Sequence, residues 1–531
     1  MKTENAIRRV SIAISLIALL VGIVCPYAAA QEEVAFDIAS FEVKGNTIFP
    51  GKVIDSVLDP FAGSGKTVDD VEKARDALET YYHSQGYPTV LVNIPEQNVD
   101  EGVVQLEVIE SRIRRIRVTG NRYFTMEKVL KDLPSIRPGG ILYIPDIQEE
   151  LMNANRNPDL KVAPVLIPGK ELGSIDIELK VKDKIPVHGS LELNNRYSAN
   201  TTSLRLNGTL SYDNLWQKDH SVSVQYQTSP EKMEEVQSLS ASYILPSPLG
   251  RDQMSVVYAL WSDSETAFGD GFQVIGKGFV LGFRQIIPLP ETENYYHNAS
   301  IGIDYKDFKE GIGFSEAEDA LETPLRYTPV AVSYAGSLKG ETGTTRVSFG
   351  LNLLFRGIAS DLDEFEDKRF RSRGNHLYVN AGLERHQELP GGLKLLMKGD
   401  GQLASQPLVS NEQYIAGGMN SVRGYKESEA AGDHALHGTI ELSRPDLFRV
   451  GKNGNAFSLY PFLFVDAAKL YIRDPLPGQA DRISIQGAGG GIRGKWGRFL
   501  EFEVDAALAL ADSDATASGD SRLDFRIRAR F

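Results

Sequence analysis

The chain closes on two stretches, LEFEVDAAL (500–508) and LDFRIRARF (523–531). In the first, Leu500, Phe502, Val504 and Leu508 alternate with Glu501, Glu503 and Asp505. In the second, Leu523, Phe525, Ile527, Ala529 and Phe531 alternate with Asp524, Arg526, Arg528 and Arg530. A side-chain period of two is a β-strand, and here one face is apolar while the other is charged. A soluble sandwich also shows a dry and a wet face. These strands are longer, about ten residues each, the length of a tilted transmembrane strand. Their polar face is also dense in charge, which a water-filled lumen tolerates. Arg526, Arg528 and Arg530 are expected beside Glu501, Glu503 and Asp505, pairing across the hairpin.

Working backward, the same alternation recurs at Leu204–Tyr212 and Val347–Leu353 and begins near residue 186. It gives sixteen segments: 188–198, 201–213, 220–229, 237–246, 254–262, 272–287, 294–306, 326–338, 344–358, 376–388, 393–406, 433–445, 458–472, 482–493, 499–511 and 521–531. An even count suits a closed barrel without free edges. If the N-terminal region is periplasmic, the inner turns are 214–219, 247–253, 288–293, 339–343, 389–392, 446–457 and 494–498. The outer loops 307–325, 359–375 and 407–432 are the longest. Short inner turns and long outer loops mark an outer-membrane barrel. Phe531 then ends the last strand at the periplasmic aromatic girdle.

The composition agrees. Over 531 residues, 42% are hydrophobic and 24% charged, which fits neither disorder nor a bundle of apolar helices. A net charge of -14 argues against nucleic acid as the main partner. Residues 1–30 read as a secretory signal peptide: Lys2, Arg8 and Arg9 precede the apolar run Val10–Val24, and Ala28, Ala29 and Ala30 offer a cleavage site before Gln31. The single Cys, Cys25, lies inside that segment, so the exported chain does not rely on disulfides.

Between the leader and the barrel the chain repeats itself. FEVKGNTIF (41–49) and IRVTGNRYF (116–124) place Gly45-Asn46 and Gly120-Asn121 at equivalent turns. Gly-Asn supplies the positive-φ turn that hands a strand over to a helix. Around each, the order reads β-α-α-β-β, giving modules at 31–110 and 111–185. In the first, Val71, Ala74, Leu78 and Tyr81 recur at helical spacing. Gly63-Ser64-Gly65-Lys66-Thr67 imitates the end of a phosphate loop, but Pro60 stands where the pattern needs a glycine. It is read as a Gly-Ser loop with Thr67 capping the next helix. His434 and His437 lack a third ligand. The eight histidines are scattered, no nucleophile–base set stands out, and no cofactor, metal or catalytic residue is assigned.

Two such modules before a sixteen-stranded barrel resemble the POTRA-barrel superfamily. The resemblance rests on loop 407–432, where Gly417-Gly418 precedes Val422-Arg423-Gly424-Tyr425, similar to the superfamily's VRGY tetrad. It rests also on strand thirteen, where Phe464, Asp466 and Ala468 resemble its F-x-D-x-G motif with Ala in place of the last Gly. The two-module form resembles the two-partner secretion transporters of the ShlB/FhaC/HecB type. That resemblance implies an Arg423–Asp466 lock holding the loop in the lumen, Phe531 as the C-terminal assembly signal, and no enzymatic activity. It implies a periplasmic exoprotein partner, captured through its N-terminal secretion domain and passed unfolded through the barrel. Strand addition at Val103–Ile109 or Ser174–Val181 is the expected mode of capture. Other implied partners are outer-membrane lipid, lipopolysaccharide and, during biogenesis, the barrel assembly machinery; the barrel is expected to be monomeric. Relatives often carry a plug helix, for which Gln31–Phe36 leaves little room, so none is expected. An insertase of the same superfamily is the alternative, and it typically carries more modules.

Overall fold

The computed structural model describes residues 35–531 apart from 100, 200, 251, 264–276, 310, 313–320, 323, 358–359, 446 and 452–455. The expected leader 1–30 and residues 31–34, where a plug would begin, lie outside the described residues. The chain divides into two compact units, meeting in sequence at Lys184 and Ile185.

The first unit holds the two repeats. Module 1 runs β1 (Phe36–Ile38), β2 (Ser40–Lys44), α1 (Gly51–Leu58), β3 (Gly63–Lys66), α2 (Val68–Ser84), β4 (Val90–Asn93) and β5 (Val103–Glu110). Module 2 runs β6 (Arg112–Thr119), α3 (Met126–Lys131), α4 (Ile144–Ala154), β7 (Leu160–Pro168) and β8 (Ser174–Asp183). Each sheet has three strands, ordered β2-β5-β4 and β6-β8-β7, with β2 parallel to β5 and β6 parallel to β8. The helices supply the crossover that parallel pairing needs. Each covers one sheet face: Ile54, Leu58, Ala74 and Leu78 pack on Val90, Val92, Leu106 and Val108, and Val129, Leu133 and Ile147 pack on Ile113, Ile177 and Leu179.

Three expectations are corrected here. Val103–Ile109 and Ser174–Val181 are the central strands, not edges, because β2 and β6 cross over to pair with them. Gly63–Lys66 is not a loop but a short strand, held by pairing with Phe36–Ile38. Thr67 does cap α2, in a reciprocal box with Asp70. The aromatic that α2 buries is Tyr82 rather than Tyr81; Tyr82 is fully enclosed and its hydroxyl donates to Asn46 at 2.8 Å.

The repeated turns have one physical construction. Gly45 (φ +84°) and Gly120 (φ +87°) sit where a Cβ would lie 2.2 Å from the Val108 carbonyl oxygen and 2.3 Å from that of Val181. Asn46 and Asn121 then donate to the carbonyls of Phe49 and Phe124 at 2.8 and 2.9 Å. A carboxylate ending the module's last strand closes each turn. Glu110 accepts the amides of Thr47 (2.6 Å) and Ile48 (3.1 Å), and Asp183 accepts those of Arg122, Tyr123 and Phe124 at 2.7–3.0 Å. Burial pushes the Asp183 carboxyl up, but the amides of Phe124, Arg122 and Tyr123 outweigh it and hold it below the usual carboxylate range.

The second unit is a closed antiparallel barrel. Its strands are β9 (Val187–Asn194), β10 (Arg205–Leu215), β11 (His220–Thr228), β12 (Gln237–Pro246), β13 (Met254–Asp263), β14 (Gly278–Pro288), β15 (Tyr295–Phe308), β16 (Leu325–Tyr327), β17 (Val330–Gly340), β18 (Gly343–Leu354), β19 (His376–Leu389), β20 (Leu393–Ala404), β21 (His434–Ser443), β22 (Phe448–Val450), β23 (Phe457–Tyr471), β24 (Arg482–Trp496), β25 (Leu500–Ala509) and β26 (Ser521–Arg530). β16 and β17 both pair with β15, and β21 and β22 both pair with β23, so the ring has sixteen staves. The two interruptions follow from Pro329 and Pro445, which have no amide to give the ladder. The second stave begins at Arg205 rather than 201. The sixth begins at Gly278, the residues expected at its start lying among those not described.

The wall is inside-out relative to a soluble protein. On β23, outward Leu463 and Val465 are 65% and 54% exposed, while inward Phe462, Phe464 and Asp466 are 3% or less. The charged inner face pairs largely as expected: Arg526 with Glu503 at 2.7 Å and Arg530 with Glu501 at 2.9 Å. Two contacts differ. Arg528 reaches across the seam to Glu192 on β9, and Asp505 stands opposite Asp524 instead of an arginine. At the seam, Phe531 exchanges backbone hydrogen bonds with Gly189 (3.0 and 3.2 Å). Its ring fills the space a Gly189 side chain would need.

Candidate functional site: a loop folded into the lumen

Loop 405–433, between β20 and β21, does not project outward. It turns back through a short 3-10 turn (Ser410–Glu412) and a two-stranded hairpin (Tyr414–Ala416 with Ala430–Gly432). Val422 and Tyr425 are fully buried and Arg423 is 5% exposed. Glycines make the fold-back possible: Gly417 and Gly418 have φ of +107° and +97°, and Gly424 has +98°. A Cβ on Gly418 would strike the Glu427 carboxylate, and one on Gly424 would crowd the backbone of Leu508 and Ala509.

At the tip, Arg423 grips Asp466 with both arms of its guanidinium, Nε to Oδ2 at 2.7 Å and Nη2 to Oδ1 at 2.9 Å. Its backbone amide adds a third bond at 3.2 Å. Its remaining nitrogen, Nη1, donates to Glu441 on β21 at 2.9 Å. The guanidinium stacks 3.4 Å from the centre of the Phe464 ring. A planar fork suits this bidentate, stacked geometry and an ammonium does not. The network continues along the wall. Arg493 on β24 bridges Glu441 and Glu503 over the Phe462 ring, and Glu503 also takes Arg526. Five strands and the loop tip therefore share one chain of alternating charges.

The other motif residues surround this pair. Tyr425 places its hydroxyl between two backbones, 2.9 Å from the Gln486 oxygen and 2.8 Å from that of Ala511. Ala468 packs beneath the loop in one cluster with Ala416, Val422 and Tyr425, where a small residue is required.

Sequence reasoning missed three elements. Gly487 leaves room for the loop: a Cβ there would lie 1.9 Å from the Arg423 carbonyl oxygen. The run Gly487–Gly491 was visible, but its purpose appears only once the loop backbone lies against it. Glu427 ties the loop to the first turn of the barrel, accepting Arg196 Nε at 3.0 Å and the Met419 amide at 3.1 Å. Glu412, buried against β15, β16 and β19, had no motif to mark it. Gly45, Asn46, Gly120 and Asn121 belong to the module turns and Phe531 to the seam, so none of these joins the lumen site.

A polar-walled barrel with an inward loop pinned by a buried ion pair, preceded by two α+β modules, defines an outer-membrane barrel of the POTRA-containing kind. Residues 173–494 match the family model "Haemolysin secretion/activation protein ShlB/FhaC/HecB", and residues 36–111 match the ShlB-type POTRA domain. The chain belongs to this ShlB/FhaC/HecB family. It is 22% identical over 394 residues to the outer membrane transporter CdiB of Dickeya dadantii (strain 3937), an alignment covering 71% of this chain and 66% of that protein. The chain thus spans a little under two thirds of that relative's length. Its fold is like that of CdiB from Escherichia coli, with a TM-score of 0.62 and 20% identity over 96% of this chain and 93% of that one. It is also like that of BamA from Haemophilus ducreyi lacking POTRA domains 1–3, with a TM-score of 0.55 and 15% identity over 93% of this chain and all of that one. The protein is an outer-membrane barrel with its POTRA modules in the periplasm, and it is not an enzyme.

Proposed function

We propose that this chain secretes a partner exoprotein: the periplasmic modules capture the partner's N-terminal region, and the unfolded chain passes through the barrel to the surface. One observation carries this reading. The lumen is lined by paired charges, and its main obstruction among the described residues is a loop held by a breakable contact, Arg423 on Asp466. A polar wall offers a passing chain few apolar surfaces to adhere to, and family membership supports the same reading. The lumen site needs no catalytic group or nucleotide; folding of the product outside would supply the drive.

Strand addition at a sheet edge remains the proposed mode of capture, relocated to the outer edges. The β4 edge is occupied by its own module: Val90 O lies 2.9 Å from His83 Nε2, and the Val92 amide donates to Glu79. The β7 edge is bonded at Val162 by Asn155 and carries Pro164 and Pro168, which cannot donate. Among the described residues the β6 edge is bonded only at its start, where Ile113 exchanges backbone hydrogen bonds with Gly139 and Gly140, so Ser40–Lys44 and the remainder of β6, residues 114–119, are the edges proposed for capture. Within this reading Phe531 serves the assembly machinery, lipid and lipopolysaccharide surround the wall, and one barrel suffices.

The test compares culture supernatants from cells with the wild-type chain, without it, and with Arg423→Ala. Loss of one large secreted protein, with outer-membrane barrels at normal levels, is the expected result. A general fall in outer-membrane barrels would instead support an insertase.

A further inference from the structure

We infer that the lumen loop is moored at two separate arcs of the wall, and that Glu412 is the second mooring and the pivot about which the Arg423 end swings. The proposal goes beyond the motif contact and concerns how the lumen opens, so it stands whether or not the passing chain is an exoprotein.

Glu412 sits eleven residues before Arg423, on the 3-10 turn of the same loop. Its side chain is 1% exposed. A carboxylate that deep is costly unless its lone pairs are filled. Here three donors from three barrel segments converge on it. Tyr327 on β16 donates to Oε1 at 2.7 Å and Tyr378 on β19 to Oε2 at 2.6 Å, while Lys306 on β15 forms an ion pair with Oε1. Gln402 on β20 donates to the Glu412 backbone oxygen at 3.1 Å. Around the carboxylate, Val409 packs with Phe308, Leu325, Tyr327, Leu354 and Phe365, so the anchor sits in a dry pocket.

The position of that pocket in the ring gives the argument its direction. Glu412 binds the staves of β15, β16 and β19. Arg423, Tyr425 and Glu427 bind β21, β23, the β24–β25 backbone and the residues after β9, which adjoin one another across the seam. In the ring of sixteen staves these are separate arcs: the Asp466 stave lies three staves from that of Tyr378 and six from that of Lys306. The loop is therefore a strap along the lumen wall with a foot on each arc, and Tyr414, bonded to Asp400 on β20, lies between them. The two feet differ in character. The Arg423 foot belongs to a chain of exchangeable ion pairs, in which Arg493 can satisfy Glu441 after Arg423 leaves. The Glu412 foot is enclosed by apolar side chains and has no such substitute among the described residues. Release at Arg423 should therefore swing the loop rather than expel it.

The test uses the full chain in planar lipid bilayers, with folding checked by heat-modifiable gel mobility. Glu412→Gln keeps the size and some of the hydrogen bonding but loses the charge; Glu412→Asp keeps the charge and serves as the conservative rescue. Arg423→Ala alone should give brief, partial openings. Glu412→Gln with Arg423→Ala should prolong them by roughly a hundredfold, the lower end of the scale of one broken buried ion pair, and a protease added to the outer side should then cleave the loop near residues 405–433. Glu412→Asp with Arg423→Ala should return towards the brief openings. If the double variant matches Arg423→Ala in open time and cleavage while the barrel is folded, Glu412 is not a mooring and the proposal fails. If Glu412→Gln alone opens the pore as fully as the double variant, the feet are not independent and the pivot is overturned.

Discussion

Replacing Arg423 with alanine removes the only side chain that bonds Asp466 among the described residues, two hydrogen bonds at 2.7 and 2.9 Å onto a carboxylate with no exposure. Glu441 is protected, since Arg493 still holds it. The cost therefore falls on Asp466, and breaking one half of a buried pair costs about 3–5 kcal/mol. Taken at its lower end, because water can enter the lumen, this shifts the loop towards release by roughly a hundredfold. The expected result in planar bilayers is frequent partial opening by a folded, heat-modifiable barrel. Arg423→Lys should fall between, since an ammonium retains the charge but not the fork. Arg423→Ala with Asp466→Ala should be no worse than Arg423→Ala alone, because no orphaned charge remains. A folded Arg423→Ala barrel with wild-type conductance and an uncleavable loop would refute the reasoning.

Three further outcomes follow from the geometry. Gly487→Ala places a methyl against the Arg423 carbonyl, a backbone atom that cannot step aside, so it should mimic Arg423→Ala in conductance while Gly478→Ala, where no atom lies within 4 Å, mainly tests backbone strain. Gly120→Ala combines positive φ with a 2.3 Å clash on Val181 and should destabilise module 2 by more than about 1 kcal/mol, read as faster hydrogen exchange across 112–124 in the full chain. Asp183 is held below its unfolded value near 3.9, so its stabilisation is present above that pH and lost as pH falls through the folded value. Protection of amides 122–124 should therefore exceed that of Asp183→Asn at neutral pH and converge with it in acid.

How much of this was legible depended on the range of the interaction that decides it. Alternation from residue 186 onward reports a local property, the burial of every second side chain, and it located the barrel staves to within a few residues. Pro329 and Pro445 interrupt two of them for a local reason too. The Gly-Asn turns were visible as a repeat, but the carboxylates that close them, Glu110 and Asp183, lie about sixty residues away and carry no local mark. Sheet order was misread because parallel crossover puts the last strand in the centre, which β-α-α-β-β order alone does not disclose. Gly63–Lys66 has no strand propensity and is extended only because Phe36–Ile38 pairs with it. At the lumen site, Arg423 and Asp466 were found through the motif each belongs to. Glu412 was not, because Lys306, Tyr327 and Tyr378 meet only when the barrel closes.

The central claim is that an unfolded partner chain passes through this lumen. The direct measurement is photo-crosslinking in living cells from a reactive residue at Ser348, an exposed inward-facing position on β18, six residues along the strand from Leu354 in the Glu412 pocket. The account expects one large secreted protein, captured in transit and increased when its own folding is blocked. Crosslinks to many outer-membrane barrels, or none to any secreted chain while secretion proceeds, would contradict it.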